Sequence, residues 1–398
     1  MSTTPDHRRT PGPQYLVAGR YRLRSRIGGG GMGAVWLARD QLFDRDVAVK
    51  QVVSTEGLSD ESAEAIRLRA MREGRIAARL VHRNAVAMHD VALDSGEPWL
   101  VMEYLPSRSV AQILHATKTL DARQAAQIGA QVADAMTTAH AAGIIHRDIK
   151  PGNLLVTTTG RTAGLIKITD FGISRLKDDV SLNNSGVITG TPAYFAPEVA
   201  RGAEPTEASD VYSLGATVYT LVEGQPPFGV DDDSLALLHK VARARITPMT
   251  KAGELEPVLL RMLEPSPSRR PSMAQARDLL ATVAAGERGS VQQVLAGPIS
   301  TPDGGLPTWA QRSPRPPRTH PTGTHLAVGG PLPARPAPSV ASSPGDDRPS
   351  AVSTAPSPST PRPQSRNRFP STGRSNAALA VGGVALLVIV VLLILTLV

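Results

Sequence analysis

The 398-residue chain contains no cysteine, which excludes disulfides, thiolate catalysis and zinc–thiolate sites outright. Aromatic residues make up only 4% of it. They do not alternate with the arginines as base-stacking platforms would, so nucleic acid is not expected as a partner. No apolar run opens the chain. Residues 1–17 are polar and proline-bearing, which excludes a signal peptide and reads as a flexible leader. Negative charge is scarce near the other end. Residues 288–376 hold ten arginines, no lysine and three acids, and so carry +7 of the whole-chain +8. Residues 1–287 balance 33 basic against 32 acidic groups, as a soluble globular unit does.

The basic stretch also holds 18 of the 34 prolines, with many Ser and Thr and little to bury. Residues 288–376 are therefore expected to form a disordered Pro/Ser/Arg-rich linker, with a root-mean-square span on the order of 50 Å. After it, Ala377 to Val398 is uncharged, and as a helix it would measure about 33 Å against a hydrocarbon core of ~30 Å. A buried core helix would need a domain around it, and only linker precedes this one, so a transmembrane helix is expected at 377–398. Arg362, Arg366, Arg368 and Arg374 stand just before it. The positive-inside rule then places everything N-terminal in the cytoplasm. The expectation is a single-pass protein of the cell membrane with no extracytoplasmic sensor.

Periodicity organises the rest. Tyr21 to Lys50 alternates in a strand-like way, broken by a glycine run and by Asp44-Arg45-Asp46, and predicts three antiparallel strands. Ile66, Met71, Ile76, Ala77 and Leu80 predict an amphipathic helix over 61–80. Strands are predicted over 85–91 and 99–104, and long helices over 122–142, 208–223 and 255–263. The fold class is α+β: a small β-rich lobe with one helix, then a large helical lobe, together spanning 18–287.

Residues 146–153, His-Arg-Asp-Ile-Lys-Pro-Gly-Asn, place an acid, a cation and an amide at a spacing suited to phosphoryl transfer. That chemistry asks a protein mainly to hold a nucleotide, its magnesium ions and a hydroxyl nearly in line. Asp148 can accept the hydroxyl proton, Lys150 can meet the γ-phosphate, and Asn153 can offer an oxygen to a metal ion. Gly28-Gly29-Gly30-Gly31-Met32-Gly33-Ala34-Val35 fits G-x-G-x-x-G-x-V, a turn whose backbone N–H groups can cover phosphates. A three-glycine match is weak alone, but this one lies between two predicted strands and 17 residues before Lys50. Lys50 in Val-Ala-Val-Lys would hold the α- and β-phosphates, with Glu73 on the predicted helix as its partner. Asp170 in Asp-Phe-Gly follows the apolar strand Leu165 to Ile168 and supplies a second oxygen ligand for a hard cation. His146 is read as packing beside Phe171, and His82 carries no chemistry.

Taken together these motifs resemble the eukaryotic-like (Hanks-type) protein kinases, in particular the bacterial membrane-anchored serine/threonine kinases, over about Tyr21 to Ala284. The resemblance includes Ala196-Pro197-Glu198, Asp210 in Asp-Val-Tyr-Ser-Leu-Gly, and Arg270 in Pro-Ser-Arg-Arg-Pro. It implies a bilobal fold, ATP and Mg2+ (with Mn2+ admitted) as cofactors, and protein Ser/Thr hydroxyls as substrates. It also implies that Arg270 pairs with Glu198. Thr191 stands by the substrate, and Lys150 and Thr191 mark the serine/threonine type. ATP would lie against Ile27, the glycine turn, Val35, Ala48 and Leu155, with adenine on the backbone of Glu103 and Leu105 and Met102 behind it.

Arg147 beside the catalytic acid suggests control by a phosphate on the activation loop. Ser181, Ser185 and Thr189 are the candidates, with a second copy of the chain as partner for autophosphorylation. Relatives often carry a pair of threonines near the Ser185 region, and this chain does not. A second departure is Ala77, where a larger apolar residue is usual. Two rival readings are a nucleotide-binding docking module without turnover and a small-molecule phosphotransferase. Intact Lys50, Asp148, Asn153 and Asp170 oppose the first, and the segment ending Ala-Pro-Glu opposes the second.

Overall fold

The structure is a computed structural model and describes residues 11–30, 33–51, 60–171, 191–287, 289–301 and 303–310. The chain divides into two units, Met1–Thr319 and His320–Val398, and every described residue lies in the first. Gly31, Met32, Ser181, Ser185, Thr189, most of the expected linker and the whole expected span at 377–398 lie outside the described residues. Among the described residues no helix is long and apolar enough to cross a membrane.

The small lobe is a six-stranded antiparallel sheet in the order β1-β2-β3-β4-β6-β5. Its strands are β1 (Leu16–Val17), β2 (Tyr21–Gly30), β3 (Gly33–Asp40), β4 (Arg45–Gln51), β5 (Met88–Asp94) and β6 (Glu97–Glu103). Alternation explains the layout, since Tyr21, Leu23, Trp36, Ala38, Val47, Val49, Trp99 and Val101 all turn into one buried cluster. The three strands read between Tyr21 and Lys50 are β2 to β4, paired as Gly28↔Val35 and Val35↔Lys50. The leader is shorter than its composition suggests. Val17 is fully buried in this cluster, and Tyr15 Oη donates to Asp94 Oδ2 at 2.6 Å.

Helix α1 (Asp60–Ala77) lies against β5. Gly74 permits the approach, because a Cβ there would run into Val91 Cγ2. Gly74→Ala is expected to destabilise the lobe by about 1–3 kcal/mol through overpacking. The extra Val91→Ala change is expected to return most of that loss in thermal unfolding. A single variant that melts with the parent would refute the contact.

The large lobe is built on α3 (Ala122–Ala141) and α5 (Glu207–Glu223), both buried along most of their length. Around them stand α2 (Val110–Thr117), α4 (Pro197–Ala200), α6 (Ser234–Ala242), α7 (Glu256–Met262) and α8 (Met273–Ala285). Local chemistry sets the ends. Asp121 caps α3 by accepting from Arg123 N and Gln124 N, Ser272 and Gln275 form a capping box on α8, and Gly224 at φ 89° closes α5. A three-stranded sheet, β7 (Ser107–Ser109), β8 (Leu154–Thr157) and β9 (Ile166–Ile168), sits where the chain passes between lobes.

Packed chain continues past residue 287, where composition places the boundary. Helix α9 (Val291–Ala296) contacts α3 and α8, and Ile299 and Ala310 are buried in the large-lobe core. The prolines at 298 and 307 do not prevent this. The main chain of the segment is satisfied by side chains of α3, which a compositional reading does not see.

Candidate active site

The loop between α3 and β8 carries the acid. Asn153 Nδ2 donates to Asp148 O at 2.7 Å and to Asp148 Oδ2 at 3.0 Å. Lys150 Nζ meets the same Oδ2 at 2.9 Å and donates to Thr191 Oγ1 at 3.2 Å. Asp148, Lys150, Asn153 and Thr191 thus form one knot, with both side-chain donors gathered on a single carboxylate oxygen.

Asp210 holds this loop from below. Fully buried at the start of α5, it accepts from His146 N through Oδ2 and from Arg147 N through Oδ1, each at 2.8 Å, and pairs with His140 Nε2 at 2.9 Å. Arg147 stands in the left-handed region at φ 69°, a conformation that costs on the order of 1–3 kcal/mol and needs such an anchor. Thr217 Oγ1 adds a bond to Ile149 O at 3.2 Å. His146 touches the knot only through its ring, where Nδ1 accepts from Asp148 N at 3.3 Å. Its Nε2 lies 2.9 Å from Thr169 O, and its ring lies 4.9 Å from that of Phe171.

Asp170 arrives from the end of β9, also left-handed at φ 68°, and its Oδ2 pairs with Lys50 Nζ at 2.7 Å. Lys50 is 4% exposed on β4. Glu73 is placed differently from the expectation. Its Oε1 lies 3.4 Å from Arg69 Nε, and no Lys50–Glu73 pair occurs among the described ion pairs. Arg69 is one helical turn before Glu73 on α1 and so within its reach, while Lys50 is engaged by Asp170.

The donor set can be tested for a metal. Asn153 spends its amide N–H groups on Asp148, which leaves its carbonyl oxygen as ligand, and Asp170 adds a carboxylate. Among the described residues no group of three His, Cys, Asp or Glu gathers. One amide and one carboxylate fit Mg2+ or Mn2+, which keep several water and phosphate oxygens of their own.

The residues read as nucleotide contacts frame the same region. Gly28, Gly29 and Gly30 pair with Val35, Ala34 and Gly33 across the β2–β3 turn. Ala48 pairs with Met102 across β4 and β6, Ile27 is 45% exposed on β2, and Leu155 lies on β8. Glu103 N donates to Ala87 O at 2.9 Å, and Leu105 O accepts from Ser107 Oγ at 3.0 Å. Lys167 was not legible as a functional residue. Buried on β9, it donates to Ala85 O and reaches Glu103 Oε2, each at 3.0 Å, and so ties the strand behind Asp170 to the crossing between lobes. No sequence pattern marks it.

Glu198 and Arg270 make a bidentate pair, Oε1 to Nη1 and Oε2 to Nη2, each at 2.7 Å. Burial would raise the Glu198 carboxyl, but the Arg270 and Ser209 hydrogen bonds outweigh it and leave the pKa lowered. A depressed folded pKa gives stability that is complete above the ordinary value of 4.5 and is lost as pH falls through the folded value. Glu198→Gln is therefore expected to flatten the acid limb of stability against pH. An unchanged limb would remove Glu198 from that role.

A loop that gathers acid, lysine and amide, with the Asp170 carboxylate beyond β9 held by Lys50, is the arrangement expected of a phosphotransferase of the bilobal kind. Comparison places it further. The protein kinase domain model matches residues 21–280, and the chain belongs to that family. It is 37% identical over 289 residues to serine/threonine-protein kinase PknA of Mycobacterium tuberculosis, covering 70% of this chain and 64% of that one. It is 34% identical to PknB of Mycobacterium leprae, over 74% of this chain and 46% of that one. The chain therefore spans less than two thirds of either relative. Among solved structures, the Mycobacterium tuberculosis PknI kinase domain superposes with a TM-score of 0.52 at 27% identity, covering 68% of this chain and 98% of that one.

Proposed function

We propose that the chain is a membrane-tethered protein serine/threonine kinase that moves a phosphoryl group from ATP to hydroxyls of protein substrates. The observation that carries this reading is the distribution of donors on Asp148. Lys150 and Asn153 both bind Oδ2, so the carboxylate is oriented through one oxygen and keeps Oδ1 to take a proton from a hydroxyl. Lys150, held between Asp148 and Thr191, places positive charge beside the acceptor. Lys50 on β4 supplies the cation for the other end of the phosphate chain. Asn153 and Asp170 would hold the metal, which when bound neutralises charge on the transferring group.

Regulation and location belong to the same reading. Phosphate on Ser181, Ser185 or Thr189 would order the activation segment through Arg147, with a second copy of the chain supplying it in trans. The uncharged 377–398 segment after its arginine flank supports a membrane anchor with the catalytic unit cytoplasmic.

Purified full-length chain with Mg2+ and ATP is expected to incorporate phosphate on Ser or Thr, at an initial rate that rises with more than the first power of protein concentration. ATP binding without incorporation would favour the docking module instead. Protease added outside intact cells is expected to spare the catalytic unit, and its cleavage would overturn the orientation.

A further inference from the structure

The segment after residue 287 does more than cover a surface. Gln131 is fully buried on α3, and its Nε2 donates to Val294 O at 2.8 Å and Gly297 O at 2.7 Å. Its Oε1 accepts from Asn84 Nδ2 at 3.2 Å. Asn84 is also fully buried, and the same Nδ2 reaches Ile166 O at 2.7 Å, while Asn84 O accepts from Ile168 N at 2.8 Å. Ile166 and Ile168 are the ends of β9, and Asp170 follows two residues later.

A second grip is independent of the first. Ile299, with no exposed surface, donates its N–H to Gly164 O at 2.9 Å. Gly164 has φ 81°, and a Cβ there would press on Leu306 and Pro298. This turn leads directly into β9. One turn down α3, Gln127 Nε2 donates to Pro298 O at 3.0 Å and its Oε1 accepts from Ser300 N at 3.1 Å.

We propose that residues 289–301 and 303–310 form a strap that, through Gln131, Asn84 and Gly164, fixes strand β9 and so positions Asp170 for the metal. Both N–H groups of a buried amide end on the strap, so its departure would exchange two internal bonds for water and free the Gln131 side chain to turn away from Asn84. β9 is three residues long, and Asp170 beyond it holds a left-handed backbone. Such a carboxylate keeps its place only while the strand behind it is fixed. Gln131, Asn84 and Ile299 are positioning residues, since none reaches the reacting atoms.

Coupling of this kind is reciprocal: if the strap favours metal at Asp170, nucleotide with metal must tighten the strap. The proposal rests on the kinase reading, and the tests separate the two. In the full chain, Ile299→Asp is expected to raise the Mg2+ concentration for half-maximal rate by about fivefold or more, while Ile299→Val behaves as the parent. A lowered melting temperature with unchanged Mg2+ dependence would make the strap a structural cover only and overturn the proposal. Should that variant fail to fold, hydrogen exchange in the unmodified full chain decides. Saturating Mg2+ and ADP are expected to slow exchange at both Ile168 and Ile299 by at least about fivefold. Slowing at Ile168 alone overturns the strap and leaves the kinase reading standing. Slowing at neither overturns the kinase reading, and the strap's role with it.

Discussion

Asp148→Asn is expected to lower the rate of phosphoryl transfer by roughly 10²- to 10⁴-fold, the usual worth of a positioned base. The change keeps the shape of the side chain, and the asparagine carbonyl can take over the position of Oδ2, where Asn153 and Lys150 converge at 3.0 and 2.9 Å. Its other side becomes an amide N–H group, a donor where an acceptor is required. The loop itself has separate anchors, because Asp210 holds the main chain at His146 and Arg147 and Thr217 holds it at Ile149. ATP binding, assigned in the proposed function to Lys50 and the glycine turn, is therefore expected to change little. Single-turnover kinetics with a peptide substrate, paired with nucleotide titration, checks both parts. A variant that transfers phosphate at the parental rate would sink the assigned role.

The same division between local pattern and distant partner explains what could be read from the sequence. Strands β2 and β3 were legible because alternation marks one buried face, and β4, α3 and α5 because their apolar runs, buried on nearly every side, have the lengths of a strand and of helices. That Asp148, Lys150 and Asn153 lie together could be read because they share one loop. Partners separated in sequence were less so. Lys50 and Glu73 are both in place on β4 and α1, but the lysine meets Asp170. Gln124, Gln127 and Gln131 fall on one side of α3, as a solvated stripe would, yet all three are buried against the segment around 294–309. Periodicity says which residues share a face and is silent on what covers it. Proline-rich composition failed at residue 287 for the same reason, since the groups that satisfy that backbone lie more than 160 residues earlier.

Arg270→Met is expected to cost roughly 3–5 kcal/mol, the range for breaking a buried pair by removing one partner. Its guanidinium has no exposed surface and lies 4.9 Å over the Tyr212 ring. Besides both oxygens of Glu198 it serves Ala208 O at 2.9 Å, Glu264 O at 2.7 Å and Pro265 O at 3.0 Å. Methionine fills much of the volume but donates nothing, so a carboxylate and three carbonyls lose their donor together. Thermal unfolding is expected to fall by about 10 °C for a domain of this size. Arg270→Lys is not expected to rescue it, because an ammonium cannot match two carboxylate oxygens and three carbonyls from one planar fork. The double change Arg270→Met with Glu198→Leu is expected to recover part of the loss by removing the stranded charge. If the double variant is no more stable than Arg270→Met, the carboxylate was not what made the single change costly. The consequence for function follows from where Glu198 sits. It opens α4 seven residues after Thr191, the hydroxyl held by Lys150, so losing the pair loosens the wall on the substrate side. KM for a protein substrate is therefore expected to rise in the folded fraction of Arg270→Met, while KM for ATP stays at the parental value.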